Sequence, residues 1–149
     1  MFPIVLRILF SFFSLFYIAS IFILAGSPVA HTLSEFNAYS LLHIPLYGIL
    51  AFLLVFSMVP ISQGIKGASV QPGADATGPR PIGTVGLRLR FFMAGAIALT
   101  VGIFDEVHQV SVPHREASVS DVFLDTVGIA IALLLCSRLL KTQIPEQTR

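Results

Sequence analysis

The sequence predicts an all-α membrane protein, a bundle of four transmembrane helices with both termini on the cytoplasmic side. Three observations carry this. Of 149 residues, 55% are hydrophobic and 11% charged, at a mean hydropathy of +0.86, whereas a soluble domain carries roughly 25% charged residues. A water-soluble chain of this size could not cover its surface with so few charges. Four apolar segments stand out, each long enough at ~1.5 Å per residue to cross a hydrocarbon core of about 30 Å. Finally, eight of the nine basic residues fall on one side of a four-span topology, which sets an orientation.

The first segment covers residues 8–25, ILFSFFSLFYIASIFILA, just after Arg7. Its apolar run exceeds the roughly 7–15 residues of a signal-peptide core, which favours a retained helix over a cleaved leader despite the small residues Ala25-Gly26-Ser27. The second covers residues 41–59 and contains His43 and Pro45, the third residues 89–109, and the fourth residues 121–140. None alternates in polarity, and all exceed the roughly 10 residues a membrane strand needs, so helices are expected.

Between the second and third segments, residues 60–86 hold six glycines and four prolines with almost nothing to bury. This predicts a flexible cytoplasmic loop rather than a second domain, leaving one membrane domain over residues 1–149. Arg7, Lys66, Arg80, Arg88, Arg90, Arg138, Lys141 and Arg149 share one side of the predicted topology, and the other side has only Arg115. The positive-inside rule then makes both termini cytoplasmic. No basic patch interleaved with aromatics points to nucleic acid. The single cysteine, Cys136, excludes an internal disulfide and a thiolate zinc cluster.

The remaining polar chemistry collects on the opposite, outer side. Six of the eight acids (Glu35, Asp105, Glu106, Glu116, Asp121, Asp125) and all four histidines (His31, His43, His108, His114) lie there. Between Asp105 and Asp125 alone, eight ionisable side chains fall within 21 residues. On the third helix, Asp105, His108 and Gln109 are spaced i, i+3, i+4 and Glu106 reaches Gln109 at i+3. On the fourth, Asp121, Asp125 and Gly128 share a stripe, and Gly128 would admit another backbone at close range. On the second, His43 and Tyr47 are i, i+4. Three helices each aim a polar stripe at one depth. An acid facing lipid costs roughly 2.5–3.5 kcal/mol at the helix centre and less near the interface, so mutual pairing inside the bundle is expected. Arg115 is predicted to meet Glu106 or Asp121, as an arginine can grip a carboxylate in two places. A competing role for Asp121 is helix capping, with Ser118 and Ser120 as rivals. His31, Glu35 and Glu116 read as loop residues, and Cys136 as a small buried hydrophobe.

The order Asp105-Glu106-x-x-Gln109, Arg115, Asp121-x-x-x-Asp125-x-x-Gly128, preceded by His43-x-x-x-Tyr47, resembles the VanZ-like family of small bacterial membrane proteins over about residues 39–135. The family usually has asparagine where Asp125 stands and often Asp-Lys where Tyr39-Ser40 stand. The resemblance implies a four-helix protein of the bacterial inner membrane, and the family takes its name from resistance to a glycopeptide antibiotic, a drug directed at the cell wall. It supplies a fold and a set of residues more firmly than a reaction.

Three function classes stay open. The first is an outward-facing site that binds or acts on an envelope component such as a lipid headgroup or lipid-linked precursor, with Arg115, Gln109, His108, Asp125 and Tyr47 as contacts. The second is an intramembrane enzyme using Asp105, Glu106, Asp121 and His43 as general acid and base or as ligands of a divalent metal. Carboxylates suit Mg, Mn or Ca and an added histidine suits Zn, but no spacing is diagnostic, so the cofactor is left unspecified. The third is proton-linked transport or a structural role, and transport through so few helices would call for a homo-oligomer.

Overall fold

A computed structural model describes residues 2–27, 39–59, 84–113 and 117–141. They form α1 (Phe2–Ala25), a short 3-10 turn (Tyr39–Leu42) leading into α2 (His43–Met58), α3 (Thr84–Gln109) and α4 (Val119–Lys141). All four apolar segments are helical, and each is long and apolar enough to cross a membrane. Without water to satisfy backbone polar groups, a helix that pairs all its own is the form such a segment can take in hydrocarbon. Large side chains such as Phe12, Phe16, Phe92 and Leu134 stay exposed around the bundle, as expected where the surrounding solvent is itself apolar.

α2 is the central helix. It touches α1, α3 and α4, most extensively α4, and its Tyr47, Leu50, Ala51 and Val55 are fully buried. The faces packed against it are built from small residues. Ala94, Ala98 and Gly102 recur every four positions on α3, and Gly128, Ala132 and Cys136 do so on α4. Small residues let backbones approach where no hydrophobic force draws helices together. A Cβ on Gly128 would lie 2.1 Å from the Ile44 carbonyl oxygen, and one on Gly48 would lie 3.3 Å from the Gly128 carbonyl oxygen. α2 and α4 therefore cross backbone to backbone.

Direct contacts fix the directions. Arg7 Nε donates to the Ser57 carbonyl at 3.1 Å, and Tyr17 Oη to the Leu46 carbonyl at 3.1 Å, so α1 runs antiparallel to α2. Arg90 Nη1 donates to the Met58 carbonyl, so α3 also opposes α2. α4 runs parallel to α2, with Gly128 by Ile44 and Gly48. Farther along, an apolar groove between the two is lined by Ile49, Phe52, Ile131 and Leu135.

The arginine contacts solve a local problem. The last carbonyls of a helix have no intrahelical donor and carry partial negative charge. α2 ends at Met58, with Val59 extended (φ −87°, ψ 119°), and guanidinium groups from both flanking helices supply the missing donors. They also explain why α3 begins at Thr84, earlier than residue 89. Its first turns are arginine-bearing, and the long side chains carry their charge to the bundle's end while the stems stay apolar. Residues 84–86, expected in the loop, are thus helical; residues 60–83 lie outside the described residues.

Candidate functional site

The polar half of each inner stripe meets at the opposite end of the bundle from Arg7 and Arg90. Pro45 sits in the first turn of α2, where a missing N–H costs no hydrogen bond. Its neighbours His43 and Tyr47, one turn apart, face inward with rings stacked at 6.1 Å. His43 Nδ1 lies 2.8 Å from Asp125 Oδ1 on α4, a buried hydrogen bond across 82 positions of sequence. The other ring nitrogen, Nε2, faces Asp121 Oδ2 at 3.8 Å. Asp121 and Asp125 are one turn apart on α4, so two carboxylates bracket one imidazole.

α3 closes the cluster. Gln109 Nε2 donates to Asp105 Oδ2 at 3.0 Å and to Glu106 Oε1 at 3.4 Å. Glu106 Oε2 accepts the Ser118 backbone N–H at 2.7 Å. Ser118 immediately precedes α4, so Glu106 satisfies a helix-end donor that a glutamate three residues into the same helix often serves. Here that third position is Asp121. The helix has already begun before Asp121, and its carboxylate turns toward His43 instead of capping, while its charge still complements the positive end of α4. Asp121 Oδ1 is buried with no hydrogen-bond partner among the described residues.

A glycine makes room for the central pair. A Cβ on Gly102 would lie 2.6 Å from Asp125 Oδ2 and 3.3 Å from Tyr47 Cε1. Asp125 is completely buried, and His43, Asp105, Glu106, Gln109 and Asp121 are each at most 7% exposed. Buried charges in proteins are paired, hydrogen-bonded or bound to metal. Four buried carboxylates share this end of the bundle with one histidine, and the described arginines Arg7, Arg88, Arg90 and Arg138 belong to the far end by contact or by helix position. His43, Glu106 and Asp121 each offer a donor atom, and these atoms all lie within 4.8 Å of one another. The arrangement can hold a cation, fix an imidazole for proton transfer, or present carboxylates to a polar ligand.

Of the residues singled out in the sequence, the structure thus brings together His43, Tyr47, Asp105, Glu106, Gln109, Asp121 and Asp125. It does not bring His108 to them. Asp105, Glu106, Gln109 and Gly102 define the inner face of α3, and at ~100° per residue His108 points about 110° away from its middle. Its exposed ring meets Phe22 of α1 edge-on at 5.7 Å. Arg115, expected to pair with Glu106 or Asp121, lies outside the described residues, as do His31, Glu35, His114 and Glu116. Sequence reasoning missed Gly48 and Gly102, and it named Ser118 only as a possible helix cap, not as the backbone donor to Glu106. For Gly102 the signal was available, since it stands one turn before Asp105 and Glu106 on the same face.

The profile of the VanZ/LLP1 family matches residues 4–141, which takes in all four helices and every residue of the cluster. No curated protein and no solved structure matches the chain. With the match spanning nearly its whole length, this chain belongs to the VanZ/LLP1 family.

Proposed function

We propose that the chain is a bacterial inner-membrane protein whose polar cluster opens to the extracytoplasmic side and binds, or acts on, an envelope component carrying a polar head and an apolar tail. A lipid headgroup or a lipid-linked precursor fits that description. The observation that carries the reading is the His43–Asp125 contact at 2.8 Å, set among Asp121 and Glu106, polar chemistry kept at the end of a bundle that is otherwise hydrocarbon.

Two features support it. The arginine-rich end reads as cytoplasmic by the positive-inside rule, which turns the cluster outward. The apolar groove between α2 and α4 starts at Ile44 and Gly128, the first next to His43 in the chain and the second one turn from Asp125. A ligand with its head at the carboxylates would have a place for its chain. Arg115 and His114 would contact an anionic group from the loop between α3 and α4. Resistance to a glycopeptide-type drug would follow if the component bound were a cell-wall precursor.

A second reading, acid–base catalysis at the same place, is favoured by the same contact, since a carboxylate on Nδ1 holds an imidazole in one tautomer and orientation for proton transfer at Nε2.

The test is lipid retention. Wild type and Glu106→Gln, extracted from bacterial membranes in mild detergent, are compared by native mass spectrometry. An envelope lipid or precursor held by the wild type and lost from the folded variant is expected; identical lipid profiles would sink the proposal. Reporters fused at the α3–α4 loop check orientation, and activity on the cytoplasmic side would reverse it.

A further inference from the structure

Asp125 occupies one nitrogen of His43, the other nitrogen lies 3.8 Å from Asp121 Oδ2, and Glu106 on α3 offers a donor atom within 4.8 Å of donor atoms on both His43 and Asp121. We infer that His43, Glu106 and Asp121 hold one divalent transition-metal cation, with Asp125 orienting the histidine from behind. The inference rests on the site proposed above and names its cofactor.

The hydrogen bond from Nδ1 to Asp125 sets the tautomer. With Asp125 ionised, Nδ1 carries the proton and Nε2, 3.8 Å from Asp121 Oδ2, keeps its lone pair for a metal. That separation is too long for a hydrogen bond. It suits two ligands of one cation, which sit about 3–4 Å apart when each bond is about 2.0–2.2 Å. The Glu106 carboxylate completes a set of three donor atoms within 4.8 Å of one another. A carboxylate behind a metal-bound histidine is a recurrent arrangement that fixes the ring and raises its basicity.

Asp121 supplies an independent observation. The residue is only 7% exposed, and its Oδ1 has no hydrogen-bond partner among the described residues, an acceptor left over in a buried place. Charge agrees as well. A doubly charged cation bound by Glu106 and Asp121 would offset two of the four carboxylates buried at this end of the bundle. Glu106 is held in position by Ser118 N–H and Gln109 Nε2, and a carboxylate oxygen has lone pairs for a second partner. One imidazole with two carboxylates suits zinc or manganese.

The experiment uses the full chain in detergent, stripped with EDTA, dialysed and titrated with zinc or manganese. Elemental analysis counts the bound metal, and the absorption of cobalt(II) as a probe reports coordination. One equivalent per chain is expected. Asp121→Asn and Glu106→Gln should each weaken binding by about 100-fold or more, and Asp125→Asn by about 10- to 100-fold. No retained metal in the wild type, or equal binding in Asp121→Asn and Glu106→Gln, would overturn the inference, because the cation would then sit elsewhere. If those variants do not fold, the wild type decides alone. Its thermal midpoint should rise with zinc and fall back with EDTA, and an unmoved midpoint at saturating metal overturns the site. Lipid retention on the same stripped protein separates the two proposals. Lipid without metal removes only the cation, and metal without lipid removes only the headgroup reading.

Discussion

The Ile44 carbonyl oxygen occupies the space in which any side chain on Gly128 would begin, 2.1 Å from an ideal Cβ. This contact sets the spacing of α2 and α4, and that spacing in turn puts His43 within hydrogen-bond reach of Asp125. Backbone cannot yield as the end of a flexible side chain can, so Gly128→Ala must push the helices apart. Overpacking typically costs about 1–3 kcal/mol, and here a loss at or above the upper end is expected, read as thermal unfolding in detergent. Gly48→Ala, whose Cβ would meet the Gly128 carbonyl at 3.3 Å, should cost clearly less. Equal stability of Gly128→Ala and wild type would refute the close crossing.

The His43–Asp125 bond can be tested by what replaces the acid. Asparagine keeps a carbonyl oxygen able to accept from Nδ1–H, so Asp125→Asn should leave the imidazole tautomer unchanged in nitrogen NMR spectra. Asp125→Ala removes the acceptor and should both shift the tautomer signal and destabilise by about 1–3 kcal/mol, because a buried donor is left unsatisfied. Identical His43 spectra in the alanine variant would show that the bond does not form.

At the other end of the bundle, Arg7 and Arg90 supply donors to the last carbonyls of α2. Hydrogen bonds to charged groups contribute about 1.5–3 kcal/mol. Arg7→Ala and Arg90→Ala are each expected to lower stability within or below that range. The double variant should lose more than either alone and show mixed orientation in reporter fusions, since the positive-inside signal weakens with it. Full stability in the double variant would reduce both contacts to incidental ones.

Tyr17 offers a smaller, cleaner test. Tyr17→Phe removes one hydroxyl that donates to the Leu46 carbonyl at 3.1 Å and little else. A cost of about 1 kcal/mol is expected, with cluster and lipid retention intact. A loss of lipid retention would instead connect α1 to the site.

How far the sequence disclosed this arrangement depends on range. The four helices were legible because bilayer thickness and hydropathy are local constraints, readable in any 20-residue window. The cluster was legible in part, since i, i+3 and i, i+4 spacing places Asp105, Glu106 and Gln109, or Asp121 and Asp125, on a common face. His108 shared the spacing and still turned away, because three spacing partners do not define the centre of a face; Gly102 does, by showing where α3 approaches α4. Which residues pair across helices was not legible. Nothing near His43 announces that its partner is Asp125 rather than Asp105, and nothing near Arg90 announces a carbonyl of α2. Those choices come from the crossing at Gly128, a property of two helices at once.

The separation of His43 and Asp125 by 82 positions also has a meaning in time. A ribosome delivers α2 long before α4 exists, so the histidine must enter the membrane without the acid that later holds it. During that interval α1 can already grip α2 through Arg7 and Tyr17, and the polar end of α2 waits unfinished. Insertion of the fourth helix brings Asp121 and Asp125 to His43, and a product stalled before it would lack both carboxylates and the most extensive packing partner of α2.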